Sequence, residues 1–564
     1  MESAHDLFYA IYGDGSQSGI VSDLLARLGF HALSVALLAT AASHSVWDYD
    51  RLAREWDSHR AQVHRTDYNE SLAATIELSL TSPAFHELGP DARDLLGVVA
   101  FFPQGINENH IDWLFSPTSD GRNIFDNFCA LSMTYRSKGF LTTFAPLRDY
   151  LCPKDPISSP LLCTIKDRYF RRLSVDVHPG KPGYEEAQWV TSEDLNIEHL
   201  LDILTSIDVN SADVWAACRN FMEHLYWYKR RLVVLGPNLV VLGPKIEGLP
   251  DNHPSKPQCL FQLSWLLDSV GNFTGEKQLL THALKLWKER GDDLQAAQTL
   301  MYLSNANRQL CLYEEGIPQA REALVIYERL NDLVGQAQSL LFLAWSLYED
   351  TRLGAAEEAA SKSIGLFLDK GEQFRVSQCH RLLGSIYRSK GEMKRAIHRF
   401  ETALHIASPF DWHEQLVWNH LCLAELFFSD NKPDDAHAHV DRAKPHTTND
   451  PYLLGRSIQL QALFWYRQRR FKEAKFETLR AVDIYEKIGA TRDLEYCRIV
   501  LRDLEMSVTS GKSDFNGELL EAVLLPTPIN PPFSARGTLH CLARLFRHIL
   551  LRATAHTSGK ISDS

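Results

Sequence analysis

The chain has no apolar run long enough to span a bilayer. Its most apolar stretch, ALSVALLATAA (32–42), is 11 residues long, against the roughly 20 that a membrane helix needs. It suits a buried helix. Cysteine pairs are missing too: the 10 cysteines are scattered and never form C-x-x-C. That fits a reduced compartment, with thiols serving as small core hydrophobes. Positive charge is in deficit, with 59 Lys and Arg against 71 Asp and Glu and a net charge of −12. Bulk electrostatics of that sign favour neither nucleic acid nor anionic membrane. The opening MESAHDLFYAIYGDG lacks the basic start and apolar run of a secretory signal. A cytoplasmic protein without a transmembrane segment is the expectation.

Catalytic signatures are absent as well. There is no H-E-x-x-H, no G-x-S-x-G and no Cys/His cluster with zinc spacing. His437 and His439 in DDAHAHV lie two apart on an expected helix, so they point to different faces and read as solvated or edge residues. A P-loop needs G-x-x-x-x-G-K-[ST] to cradle phosphates. The nearest stretch, GDGSQSGI (13–20), lacks the Lys and the Ser/Thr after Gly19. The expectation is a non-enzyme with no metal and no cofactor.

What is present is a repeat. The stretch HRLLGSIYRSKGEMKRAIHRFETALHIAS (380–408) shows two helix-period runs around a turn. Gly384, Tyr387, Ala396, Phe400 and Ala403 match the tetratricopeptide pattern L-G-x-x-Y…A-x-x-x-F…A. Stepping by 40 from Ala403 gives Ser363, Ala323 and Ala283 upstream and Ala443 downstream, with Ala481 38 residues later. The first-helix column reads Ser264, Ser304, Ala344, Gly384, Ala424 and Ala462. The column that opens the second helix reads Glu276, Gly316, Ala356, Ala396, Ala436 and Ala474. Small side chains belong where two helices cross closely. Only Glu276 departs. The period exceeds the standard 34, and the extra residues fall in WKERGDD, YERLNDL, LDKGEQF and YEKIGATRD, each with Gly or Asn as a helix stop. This long-period form is similar to the repeats of kinesin light chains and cell-polarity scaffolds. DLEYCRIVLRDLEM (493–506) reads as a capping helix.

Residues 1–255 show no repeat. LAATIELSL (72–80) reads as a helix, and PDARDLLGVVAFFPQGINENHIDWLF (90–115) as two helices joined at Pro103–Gly105. NIFDNFCALSMTYRSKGFLTTFAPLRDYL (123–151) reads as a helix, the strand GFLTTF and a further helix. Three helices and a small β-wing describe a winged helix. GFHALSVALLA (29–39), LLGVVAFFPQGINENHIDWLF (95–115), FAPLRDYL (144–151) and the repeats together resemble fungal STAND proteins, NB-ARC or NACHT-type signal-transduction ATPases with tetratricopeptide sensors. The resemblance covers roughly residues 5–507 and implies that the chain starts inside the small helical domain, without the nucleotide-binding core. The family's G-L-P-L and M-H-D motifs align with GFHAL and Phe144–Ala145–Pro146; Ala32 stands where Pro is expected, and Ala145 where His is.

The domains expected are a STAND helical remnant (1–70), a winged-helix-like domain (71–178), a helical linker (179–255), repeats with a capping helix (256–509) and a Pro-rich, disordered tail (510–564). The fold class is mostly α, ending in an α-solenoid of about six 40-residue repeats. In the tail, RLFRHILLRAT (544–554) is basic and amphipathic, with a membrane-surface or partner-helix role open to it. KRR (229–231) is either a small basic patch or a helix end with snorkelling cations. The wing's helix NIFDNFCALSMTYRSK carries only Arg136 and Lys138, both near its end, and a DNA-reading helix needs more.

The function expected is a scaffold or sensor that holds a partner peptide or helix in the groove lined by first helices. One alternative is an ATP-driven switch whose P-loop core is missing, and another is DNA binding through the winged helix. Groove candidates are the ladder Gln298, Gln338 and Gln378, continued by Trp418 and Arg456 and preceded by Gln258. With them come Asn305, Arg308, Trp345, Tyr348, Arg381 and Arg388. The glutamines either bond a peptide or tie neighbouring repeats together. An acidic or aromatic peptide is expected near Arg308, Tyr348 and Arg388. The columns lack the Lys/Asn set of chaperone-tail clamps. Packing positions are Ala356, Gly384, Tyr387, Ala396, Phe400, Ala403, Ala424, Ala436, Ala443, Ala462, Ala474 and Ala481.

Overall fold

The computed structural model describes residues 2–13, 18–62, 70–115, 121–152, 160–175, 188–228, 237–269, 272–410, 412–447, 451–488 and 491–510. Residues 14–17 of GDGSQSGI, the KRR run and the tail from 511 on lie outside the described residues. The chain divides into two compact units, Met1–Val175 with Gln188–Val209, and Asp176–Ala187 with Asn210–Ser564.

The first unit opens with α1 (Glu2–Tyr12), α2 (Gly19–Arg27), α3 (Ala32–His44), α4 (Tyr49–Gln62) and α5 (Glu70–Leu80). The apolar ALSVALLATAA segment is α3, buried from Ser34 to Ala42 except at Ala36. Phe8, Leu24, Leu38, Trp56 and Leu78 form the core around it. Trp56 Nε1 donates to Thr75 Oγ1 at 3.1 Å, so the largest ring enters the core with its polar atom satisfied.

Next come α6 (Pro83–His86), α7 (Ala92–Phe101), β1 (Ile106–Asn107), α8 (Ile111–Leu114), α9 (Gly121–Ala130), β2 (Thr134–Ser137) and β3 (Phe140–Thr143). The sheet is antiparallel in the order β1-β3-β2. From α7 to β3 the order is helix, strand, helix, helix, strand, strand. Two strands beyond the expected GFLTTF are present. The expected helix over NIFDNFCALSMTYRSK stops at Ala130, because Ser132 turns to φ 58° and Met133 N closes on Phe128 O. TYRS then pairs as β2. The β2–β3 turn is Lys138–Gly139 at φ 52° and 82°, the positive pair of a two-residue hairpin. Gly105 has φ 81°, and a Cβ there would stand 2.0 Å from Leu141 O, so only glycine fits beside the sheet. The unit ends with α10 (Ala145–Leu151), α11 (Pro160–Leu173) and α12 (Gln188–Ile207).

Glu193 of α12 is fully buried. It receives bonds from Tyr169 Oη (3.0 Å) and Asn196 Nδ2 (2.8 Å), and His110 Nδ1 lies at 2.7 Å. Asn196 in turn bonds the backbone of Gln104 and Gly105. This network holds α12 to the segment around β1 and to α11.

The second unit starts with α13 (Ala212–Tyr228) and α14 (Pro237–Gly248). Six helix pairs follow: α15 (Lys256–Ser269) with α16 (Phe273–Arg290), α17 (Asp293–Gln309) with α18 (Tyr313–Arg329), and α19 (Leu333–Glu349) with α20 (Leu353–Asp369). Then come α21 (Gln373–Ser389) with α22 (Met393–Ala407), α23 (His413–Ser429) with α24 (Pro433–Ala443), and α25 (Pro451–Arg467) with α26 (Phe471–Ile488). α27 (Thr491–Ser510) packs on α26. This is a tetratricopeptide solenoid. Of the stretch 179–255, α12 falls in the first unit and α13 and α14 in the second.

The small columns are the crossings. Ala356, Ala396, Ala403, Ala424, Ala436, Ala443, Ala474 and Ala481 have no exposed surface, and Ala462 almost none. A Cβ on Gly384 would lie 2.8 Å from the Phe400 ring, so glycine and phenylalanine occupy one space. Tyr387 is buried, with Oη donating to Glu357 Oε1 at 2.8 Å. Ser363, the exception in an alanine column, donates to Ala337 O at 2.7 Å, so its hydroxyl is satisfied. The stops also repeat. Gly291, Asn331 and Gly371 have positive φ after the second helices, and Cys311, Thr351, Gly391 and Asn431 have it after the first, at 40-residue steps.

The described cysteines are free thiols, and Cys218, Cys259, Cys379, Cys422 and Cys497 are buried. Among the described residues no helix is long and apolar enough to cross a membrane, and no group of three or more His, Cys, Asp or Glu is placed to hold a metal ion.

Candidate ligand groove of the solenoid

The helices that open successive repeats share one wall, and a cavity of about 180 Å³ opens along it. Its lining comes from α13, α15, α17, α19, α21 and α23. One flank is aromatic. Tyr226 meets Trp265 at 5.1 Å between ring centroids, Trp265 meets Tyr302 at 5.3 Å, and Tyr302 meets Phe342 at 5.8 Å. These contacts run across four helices, so the flank is a continuous apolar strip. The other flank carries Arg375, Gln378, Arg381 and Glu414. Arg381 is 7% exposed, with its guanidinium 5.5 Å from the Trp345 ring and 6.0 Å from the Trp418 ring. Two indoles thus hold that cation in place.

Among the expected groove residues, Asn305, Arg308, Trp345, Gln378 and Arg381 line this cavity. Gln258, Gln298 and Gln338 are half-buried and make no side-chain hydrogen bond among the described residues. Gln298 stands four and seven residues before Tyr302 and Asn305, Gln338 before Phe342 and Trp345, and Gln258 seven before Trp265. Gln378 Oε1 accepts from Arg375 Nη1 at 3.1 Å, within its own helix. The ladder therefore does not tie one repeat to the next through hydrogen bonds.

The two arginines expected to receive an acidic peptide are placed otherwise. Arg308 is 7% exposed and forms an ion pair with Glu349 of the next repeat, while Asn305 Oδ1 accepts from its Nη2 at 2.9 Å. Arg388 donates to Glu425 Oε2 at 2.7 Å, with only 10% of its side chain exposed. Both cations are neutralised by carboxylates of the following repeat. Tyr348 Oη lies 3.3 Å from Ser389 Oγ. Trp418 is 8% exposed. Arg456 donates to Gln459 Oε1 of its own helix at 2.7 Å and lies 3.7 Å from Asp493 of α27. The Arg456–Asp493 pair joins the sixth repeat to α27.

Tyr226, Tyr302, Phe342, Arg375 and Glu414 were not reached by the column count. Tyr302 and Phe342 lie 40 apart, one helical turn after the glutamine ladder, so the same periodicity contains them. Glu349 and Glu425 follow Arg308 and Arg388 by 41 and 37 residues, and no constant step marks them.

No protein-family model and no curated protein matches the chain. Solved structures do. A Signal Transduction ATPase with Numerous Domains (STAND) protein with a tetratricopeptide repeat sensor, from Pyrococcus horikoshii, is 13% identical; the match covers 90% of this chain and 73% of that one at a TM-score of 0.50. A Rap protein complexed with Competence and Sporulation Factor is 14% identical over 61% of this chain and 98% of that one, TM-score 0.41. The apo quorum sensor NprR from B. thuringiensis is 15% identical over 60% and 97%, TM-score 0.37. The likeness to the STAND protein shows a shared fold.

Proposed function

We propose that the solenoid is a non-enzymatic protein-interaction scaffold or sensor that holds a partner peptide or helix along the wall of first helices. The observation that carries this reading is the amide ladder. Gln258, Gln298 and Gln338 present donors and acceptors beside an aromatic strip, and none makes a side-chain hydrogen bond among the described residues. Amides of that kind match a peptide backbone, which alternates N–H and C=O. The aromatic strip supplies apolar area for side chains of the partner. Because Arg308 and Arg388 are committed to Glu349 and Glu425, an acidic ligand is not the expectation; the partner is read by amides and aromatics. On this reading the first unit is a STAND-type helical and winged-helix connector, the protein acts in the cytoplasm, and DNA is no partner. In the winged helix, Arg122 of α9 is held by Asp112 at 2.8 and 2.6 Å, and Arg136 pairs with Glu108 and Asp126.

The test is a peptide-library pulldown followed by titration of a hit. The triple change Gln258→Ala, Gln298→Ala and Gln338→Ala should leave the unfolding midpoint unmoved, since no internal bond is lost. Affinity should fall about tenfold or more, from roughly 0.5–1.5 kcal/mol per hydrogen bond. Unchanged affinity overturns the groove assignment. Removing Arg308 and Arg388 would be a poorer test, because it strands two carboxylates and destabilises the fold.

A further inference from the structure

The fifth repeat gathers histidines along one seam. α23 carries His413 and His420, seven residues apart and so on one face. The chain that packs on it carries His439 in α24 and His446 in the 3₁₀ turn Lys444–Thr447, again seven apart. They meet as two antiparallel rungs. His420 Nδ1 stands 3.0 Å from His439 Nδ1, and His413 Nδ1 stands 3.1 Å from His446 Nδ1. Ring centroids are 5.2 and 5.3 Å apart. That is the nitrogen separation plus a ring radius at each end, so the rings meet nitrogen to nitrogen.

Such a contact has a fixed proton count. One ring must donate Nδ1–H and the other must accept. A rung is sound when both rings are neutral in opposite tautomers, or when one is an imidazolium and the other accepts from it. When both are imidazolium, two N–H groups face each other, no acceptor remains, and two like charges lie side by side. We propose that these two rungs make the seam between α23 and the α24 segment a proton-operated joint, closed at neutral pH and opened by acid.

The surroundings favour this over a metal site. His420 faces His439, Arg442 and His446. Burial first, then these neighbours, pushes its pKa down to about 4. His439 is held low by burial and Arg442, against Asp435; its ring stacks on Phe427 at 5.2 Å. Lys444 beside the outer rung pairs with Asp441 at 2.8 Å. His437 points the other way, toward α25: it stacks on Trp465 at 4.5 Å and bonds Gln461 and Gln468. Arg442 and Lys444 leave little attraction for a second cation. The linkage sign follows. A folded-state pKa below the ordinary 6.5 means that the closed seam holds fewer protons than the open one. Stability is then full above about 6.5 and is lost as pH falls toward about 4. α23 also carries Glu414, which lines the cavity, so opening of the seam alters that end of the wall.

The experiment is amide hydrogen exchange on the full chain at pH 7 and pH 5, corrected for intrinsic rates. Opening should become about tenfold more frequent per pH unit for each proton taken up. The increase should be confined to α23 and α24, with α17 and α18 as the internal reference. The variant His420→Gln/His439→Gln, whose amides still bond without titrating, should lose most of it. An equal rise in both regions, or the same rise in the variant, overturns the proposal. Should the variant fail to fold, the imidazole NMR titration of the wild type decides. Four independent curves at the ordinary histidine value overturn the joint, whereas coupled curves with one ring of the inner rung neutral down to about pH 5 support it. Saturable zinc binding that needs all four histidines would replace the joint by a metal site.

Discussion

In the first repeat the close helix crossing holds Glu276, 1% exposed, with no hydrogen-bond partner for Oε2 among the described residues. In the fifth the same position is Ala436, and the polar load sits one turn later at the His420–His439 rung. Burial first, then Asp268, raises the Glu276 pKa well above the usual carboxylate range, with Arg308 opposing. The folded first repeat keeps a proton that the unfolded chain releases near pH 4.5. Its contribution is therefore full below about 4.5 and declines as pH rises. The fifth repeat runs the other way and weakens as pH falls. One backbone plan thus yields two opposite proton responses. Column geometry sets where a side chain goes, and its chemistry sets what the repeat does with a proton.

That comparison presumes that the column is a close crossing in every repeat. The fourth repeat is the plain reference, and the largest expected effect lies there. Ala396→Trp forces an indole into a site without exposed surface. A loss of about 3 kcal/mol is expected, at the upper end for overpacking. Lys394→Ala, exposed on the same helix, should move stability by less than about 0.5 kcal/mol. Equal urea midpoints for the two would remove the column, and Glu276 would cease to be an exception to anything.

Next in size is Glu276→Ala, which gives the first repeat the residue of the third, fourth, fifth and sixth. Removing an unpartnered buried carboxyl should raise stability by about 1–2 kcal/mol at neutral pH. The gain should shrink below pH 4.5, where the unfolded chain is protonated as well. A urea series across pH checks this. If the gain is the same at pH 4 and pH 7, burial of an ionisable group is not the cause, and the contrast with the fifth repeat collapses.

The repeats were legible because each column is written six times. Ala396, Phe400 and Gly384 say together what none says alone, and the αL stops at Gly291, Asn331 and Gly371 were visible as Gly or Asn beside charge. The front unit is written once. GFLTTF showed β3, but β1 is only Ile106–Asn107, and β2 hid in TYRS behind a run of helix-like residues that ends on Ser132 at φ 58°. No local pattern announces a two-residue strand, since its partner lies more than 30 residues away. The candidate groove was half legible for the same reason. The glutamine ladder follows the period, whereas Glu349 and Glu425 reach back to the previous repeat at irregular steps. Those carboxylates are the partners of Arg308 and Arg388. The Glu193 network and the histidine rungs were beyond reach too, because they join residues 83 and 19 apart that share no motif.

The smallest effect concerns the turns that end the first helices. Cys311, Thr351, Gly391 and Asn431 occupy one backbone state, with φ of 57°, 63°, 79° and 60°. Gly391 takes it without a Cβ clash, and asparagine is among the side chains that tolerate it best. Threonine tolerates it poorly, because a β-branched residue with positive φ crowds the next carbonyl. Left-handed backbone costs a non-glycine residue about 1–2 kcal/mol, and glycine returns about 0.5–1 kcal/mol of that through its freer unfolded chain. Thr351→Gly should therefore stabilise the solenoid by up to about 1 kcal/mol. Asn431→Gly in the fifth repeat should gain less, and Gly391→Thr should lose what Thr351→Gly gains. Thermal midpoints at pH 7 measure all three, and none of these changes adds or removes an ionisable group. If Thr351→Gly and Asn431→Gly shift the midpoint equally, the turns are interchangeable, and the difference between repeats resides wholly in the ionisable groups at the crossings and seams.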